Sequence, residues 1–235
     1  MKYFASTAVI ATAIVYVSKK IFDTFITSYL EKKKKIISID IENDISRKKE
    51  IKKWTNPVLS SINGLNGRLK HTIEENGYQE LNENHANYNY YNTSTLYYFA
   101  QYLCWIQILK EEIDYEIFDE NNIEAKFFQS IKNVNKKLRD YSDIEFDKRN
   151  NPIYSLQQRE IAESMRIEDS NCMSYYTFNK KIKDDAEFKE TILPLQELIK
   201  NIESDSEKFK RLESTYNALE KLKKEAENIL KNQAC

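Results

Sequence analysis

Glycine and proline are nearly absent, with three of each in 235 residues. A fold of short strands draws on both at every reversal, so their scarcity excludes most all-β architectures and points to long helices. Cysteine is scarce too. Cys104, Cys172 and Cys235 are odd in number and far apart, which excludes a dense disulfide frame and a Cys-rich zinc site and reads as free thiols in a reducing compartment. The only histidines are His71 and His85, without H-E-x-x-H spacing, so both read as surface or loop side chains and no metal site is expected. Charge of one sign is missing as well: 36 basic residues face 37 acidic ones. No global field draws this molecule onto nucleic acid. Glycine-rich phosphate loops, dinucleotide fingerprints and the G-x-S-x-G elbow are also absent, so no cofactor is expected.

What the chain does have is one long apolar run. "YFASTAVIATAIVYVS", residues 3–18, carries no charge and lies between Lys2 and Lys19-Lys20. As a helix it rises ~24 Å, close to a ~30 Å hydrocarbon core once the flanking lysines snorkel. The residues after it lack the small-x-small pair of a signal-peptidase site, which favours an uncleaved single-pass anchor over a secretory signal. Lys19, Lys20 and Lys32 to Lys35 follow the run, and only Lys2 precedes it, so the positive-inside rule places the carboxyl-terminal part in the cytoplasm. The expected organisation is a transmembrane anchor over 1–20, a basic amphipathic or helical connector over 21–53, and a helical domain over 54–235. The partner expected for residues 3–18 is the bilayer of the cell membrane.

Within 54–235, apolar residues recur at helical spacing. Asn56 as cap, Pro57 at the first position and Gly77 at the stop frame a helix with the stripe Val58, Leu59, Ile62, Leu65, Leu69 and Ile73. Gly64 and Gly67 inside it each cost ~1 kcal/mol of helix propensity, which points to close approach by a neighbour. Residues 78–93 read as an asparagine-rich loop. Thr93 or Ser94 then starts a helix, through about Tyr115, that is apolar on nearly every side and so belongs at the centre of a bundle. Further helices are expected over 121–141, from Ser155 with Gln158 as a capping box, over 173–183, over 184–203 with a kink at Pro194, and over 205–231. The sum is an all-α fold: one anchor and an antiparallel bundle of about five to seven helices.

Three blocks, "WTNPVLSSINGLNGRL", "STLYYFAQYLCWIQIL" and "QREIAESM" followed by "YYTF", resemble an uncharacterised bacterial family over roughly residues 54–200. The resemblance implies an amino-terminal membrane helix joined to a cytoplasmic helical region, and no activity. This chain differs in its many Asn and Lys residues and in Gly64 and Gly67.

One polar constellation stands out. In "QQREIAESM", Arg159 and Glu163 are four apart and share a helix face; with Tyr97 and Tyr98 they form a candidate polar pocket suited to an anionic ligand. An ordinary ion pair is the competing reading. The tyrosine-rich stretch 87–105 has no basic residue between Ser94 and Leu109, which argues against base stacking and for a core. The catalytic residues are unknown. The expected function is a membrane-anchored interaction module, acting as sensor, adaptor or scaffold on a protein partner, with no nucleic acid. The alternative is a membrane-associated enzyme, or a toxin or antiphage-type effector, with a polar pocket near Arg159.

Overall fold

A computed structural model describes residues 32–35, 37–38, 45–46, 56–112, 123–139, 151–168 and 171–232. The chain forms two compact units, residues 1–50 and 51–235. In the first, the described residues 32–35, 37–38 and 45–46 are helical. The expected membrane run over 3–18 lies outside the described residues. Among the described residues, no helix is long and apolar enough to cross a membrane.

The second unit is a helical bundle. Its described elements are α1 (56–74), a short 3-10 turn (Gly77–Leu81), α2 (Tyr88–Glu112), α3 (Ile123–Arg139), α4 (Ser155–Ser164), the strands β1 (Arg166–Ile167) and β2 (Asn171–Cys172), α5 (Tyr175–Asp184), α6 (Ala186–Ile199) and α7 (Glu207–Asn232). Helix α2 is the centre, as its all-round apolarity requires. Leu96, Phe99, Ala100, Tyr102, Leu103, Cys104, Ile106, Ile108 and Leu109 are all buried on it, and burying one such aliphatic or aromatic side chain contributes ~1.5–3 kcal/mol. The amphipathic α3 instead buries a single stripe, Phe127, Phe128, Ile131, Val134 and Leu138, chiefly against α7.

Cross-helix contacts set the directions. Gly64 meets Tyr98 and His71 stacks on Tyr91, so α1 and α2 run antiparallel. Asn66 donates to Glu220 and Tyr216 Oη donates to Glu74 at 2.8 Å, so α1 and α7 are antiparallel too. Arg211, near the start of α7, is fully buried, and its Nη1 donates to the carbonyls of Lys137 and Leu138, 2.8 and 3.0 Å away. A guanidinium at the carboxyl end of α3 supplies donors and positive charge where the helix presents carbonyls and the negative end of its dipole.

Several local expectations are corrected. Residues 78–93 are not one loop: α2 starts at Tyr88, after Asn84 N–H donates to Asn82 Oδ1 at 3.0 Å and the Tyr90 and Tyr91 N–H groups donate to the Asn87 carbonyl. Asparagine served these turns and the first turn of the helix alike, which its loop-like composition concealed. The left-handed residue after α1 is Asn76, φ 59°, not Gly77. Gly77 is required for another reason, since a Cβ there would lie 2.4 Å from the His71 ring. Gly64 does mark a close approach, with Tyr98 ring atoms 2.6 Å from an added Cβ, whereas Gly67 faces open space. The cap of α4 is one residue earlier than expected: Gln157 Oε1 accepts from the Tyr154 N–H at 2.9 Å, and Gln158 is buried with its amide donating to the Ile153 and Asn135 carbonyls. The antiparallel pair β1–β2, with Arg166 opposite Cys172, is too short for any periodicity to announce.

Candidate functional site

The helices α2, α3 and α4 enclose a cleft of about 480 Å³ between the second half of α2, the second half of α3 and the first turns of α4. Its charge is one-sided. Lys110 comes from α2, Lys132, Lys136 and Arg139 from α3, and Arg159 from α4, with no carboxylate in the lining among the described residues. Leu103 and Ile106 contribute apolar floor, and Gln107, Gln129, Asn133 and Asn135 contribute amides.

Four of these cations have identifiable local surroundings. Lys136 and Arg139 occupy the last turn of α3, where positive charge complements the helix dipole. Arg139 Nη1 donates to Ser155 Oγ at 3.1 Å, tying the end of α3 to the first residue of α4. Lys110 is half-buried on the central helix, and burial together with the like charge of Lys132 holds its ammonium below the usual lysine range. Arg159 Nε donates to Glu163 Oε1 at 2.7 Å, with both side chains half exposed or more. That is an exposed i,i+4 pair, a weak restraint.

The four residues expected to share one pocket are not brought together around this cleft. Arg159 lines it, whereas Glu163, Tyr97 and Tyr98 do not. Tyr97 lies four turns before Glu111 on α2, about 21 Å of helix rise, and it is Glu111 that shares an electrostatic interaction with Arg159. Tyr97 is buried among Tyr98, Tyr175 and Phe178; it accepts from Gln101 Nε2 at 3.0 Å and donates to the Met173 carbonyl at 3.4 Å. Tyr98 lies over Gly64. Tyr102 is fully buried and donates to Asn135 Oδ1 at 3.3 Å, and burial raises its phenol.

Two further clusters were not legible as such. His71 bridges Glu75 and Glu80 through its two ring nitrogens, at 2.9 and 2.8 Å, and stacks on Tyr91 with ring centroids 5.4 Å apart. The hydrogen bonds to Glu75 and then Glu80 raise its pKa. Beside it the Arg68 guanidinium lies 4.8 Å from the Tyr91 ring, 5.8 Å from Tyr90 and 5.9 Å from Tyr98. The basic residue missing from the tyrosine stretch is thus supplied by α1. A second groove, about 710 Å³, runs past Tyr88, Tyr90, Asn92 and Tyr175, but Glu83 lines it as well as Lys183 and Lys189, so its charge is mixed.

Cys104 and Cys172 correct the expectation of free thiols. They are paired, with Cα atoms 6.3 Å apart across 68 residues of sequence, and they fasten β2 to α2. Arg166 pairs with Glu111 and fastens β1 to the same helix. Among the described residues, no group of His, Cys, Asp and Glu side chains could hold a metal ion. No protein-family model matches the chain, and neither a curated protein nor a solved structure matches it, so the functional argument rests on these residues and their geometry.

Proposed function

We propose that the chain is a membrane-anchored helical interaction module, a sensor, adaptor or scaffold whose helical unit faces the cytoplasm, and that the cleft between α2, α3 and α4 recognises an anionic group of what it binds. The observation that carries this reading is the composition of the cleft. Cations and amides can hold and orient an anion, but the lining among the described residues offers no carboxylate, imidazole or thiol to serve as a general base or nucleophile. The anchor rests on residues 3–18 and the lysines that follow them.

One observation favours an enzyme as the second reading. A lysine whose ammonium is depressed by burial and by a like charge, as at Lys110, is the kind that serves as base or nucleophile.

The test combines two measurements on the full chain in native membranes. Carbonate extraction should leave the protein in the membrane pellet, with the helical unit protected from protease added outside the cell. Photocrosslinking from the cleft should capture a partner or ligand, and Arg159→Glu should abolish the capture. A protein released by carbonate, or capture indifferent to Arg159→Glu, refutes the anchored module or its cleft respectively. A Lys110→Met chain that binds normally but loses a chemical activity would favour the enzyme.

A further inference from the structure

We propose that the second groove, between the first turns of α2 and the helices α5 and α6, binds a purine nucleoside through Asn92. One observation asks for a ligand there. Asn92 lines this groove of about 710 Å³, is only 9% exposed, and its Oδ1 has no hydrogen-bond partner. An unsatisfied buried acceptor costs stability, and asparagine inside a helix costs propensity as well. The fold itself supplies no donor to that oxygen, whereas a bound molecule can. The volume is that of a small-molecule site.

Helical spacing gathers the rest of the lining. Asn89, Asn92, Thr93 and Leu96 share one face of α2, and Tyr175, Asn179 and Ile182 share one face of α5. Two of the rings are held by neighbours. Tyr175 meets Tyr97 edge to face with centroids 5.3 Å apart, and Tyr90 meets Tyr91 in the same way at 5.3 Å. Aromatic and aliphatic side chains thus come from both helices, Tyr90 and Leu96 from α2 and Tyr175 and Ile182 from α5, with Asn92 in the same lining. Such a lining selects a flat molecule with two apolar faces and a polar edge. A purine meets that description: its rings stack on tyrosine, and its edge sets a donor beside an acceptor, the pair a carboxamide complements in plane. A sugar carries hydroxyls around its whole rim and has at most one apolar face. The charged lining residues Glu83, Lys183 and Lys189 are all exposed, where solvent and salt screen them, so the groove does not require an anion. It shares no lining residue with the cleft between α2, α3 and α4, so the two readings stand or fall separately.

The full chain in non-ionic detergent is titrated calorimetrically with adenosine, with guanosine and with lactose. Saturable binding of either nucleoside is expected, weakened about tenfold or more by Asn92→Ala and by Tyr90→Ala. Lys224→Glu, on the exposed face of α7, should leave it unchanged. Because Asn92 Oδ1 has no partner in the fold and alanine is the better helix former, Asn92→Ala should keep the parent's melting midpoint, so that lost binding is not lost folding. Should that variant melt early, Tyr90→Ala decides, since Tyr90 is 59% exposed. An absence of binding by both nucleosides overturns the proposal and leaves Asn92 to a water molecule. Binding indifferent to Asn92→Ala and Tyr90→Ala overturns it as well, and so does a preference for lactose.

Discussion

Arg211 offers the sharpest test of how the bundle is held together. Its side chain is fully buried in α7, where its guanidinium donates to the Lys137 and Leu138 carbonyls at the end of α3. Arg211→Met keeps most of the stem and its packing but removes every donor. The Leu138 carbonyl retains the Ile153 N–H at 2.9 Å, whereas the Lys137 carbonyl loses the donor that Arg211 supplies. Withdrawing a partner from a buried acceptor costs about 1–3 kcal/mol. Loss of the favourable charge at the helix end adds up to about 2 kcal/mol in a buried setting. Relief of the buried charge offsets part of this, so the expected loss is about 2–4 kcal/mol, and about 3–5 kcal/mol for Arg211→Ala, which also opens a cavity. For a domain of this size 1 kcal/mol moves the midpoint by about 2–4 °C. Thermal unfolding of the full chain in detergent, followed by circular dichroism, should therefore show Arg211→Met melting on the order of 10 °C early. A midpoint within about 2 °C of the parent refutes the view that Arg211 satisfies the end of α3.

Three further outcomes are expected. His71 is raised by its hydrogen bonds to Glu75 and Glu80, so its contribution to stability is fully present below about pH 6.5 and is lost as pH rises through the higher folded value; His71→Gln should remove this part of the pH dependence of the melting temperature, and an unchanged profile would contradict it. Gly64→Ala and Gly67→Ala should differ in sign: the first forces a Cβ to within 2.6 Å of the Tyr98 ring, while the second meets nothing within 4 Å. Crowding costs ~1–3 kcal/mol, against a helix-propensity gain of up to ~1 kcal/mol that Gly67→Ala should realise in full, and equal melting shifts would sink the distinction. Reducing the Cys104–Cys172 pair, which spans 68 residues, should cost about 4 kcal/mol in the chain-entropy account. Cells lysed into denaturant with maleimide and no reductant should yield both thiols unmodified, and labelling of both would show the pair open in its own compartment.

That pair also bears on orientation. Lysine flanks argue for a cytoplasmic helical unit, and a closed disulfide is at home in an oxidising compartment. The conflict is productive, because the labelling result and the protease protection result must agree. Closed thiols on a protease-accessible domain would place the helical unit outside. Open thiols on a protected one would place it in the cytoplasm and leave Cys104 and Cys172 as an adjacent dithiol.

The helices were legible because their information is local. Apolar residues at 3.6-residue spacing located α3 and α7 to within a few residues, and scarce glycine removed the competing folds. Their ends were harder. At Asn82, Asn92 and Gln157 the same kinds of polar side chain serve turns, helix interiors and caps, and only the neighbours decide which. The two-residue strands and the Cys104–Cys172 pairing depend on contacts 68 residues apart, for which one sequence holds no pattern.

Of the candidate pocket, only Arg159 lines the cleft between α2, α3 and α4, and the reason is again the limit of local information. Arg159 was singled out by an i,i+4 pairing, which is a property of one helix, and that pair proved to be exposed. The feature that gives Arg159 its interest is the company it keeps across helices: Lys110, Lys132, Lys136 and Arg139 lie on α2 and α3, and nothing in the sequence groups them with it. Packing α3 and α4 beside α2 gathers side chains from three helices into one lining that, among the described residues, holds five cations and no carboxylate. A net charge of −1 therefore does not exclude a local gathering of cations, because net charge sums over the whole surface while recognition depends on the few side chains that share a cavity.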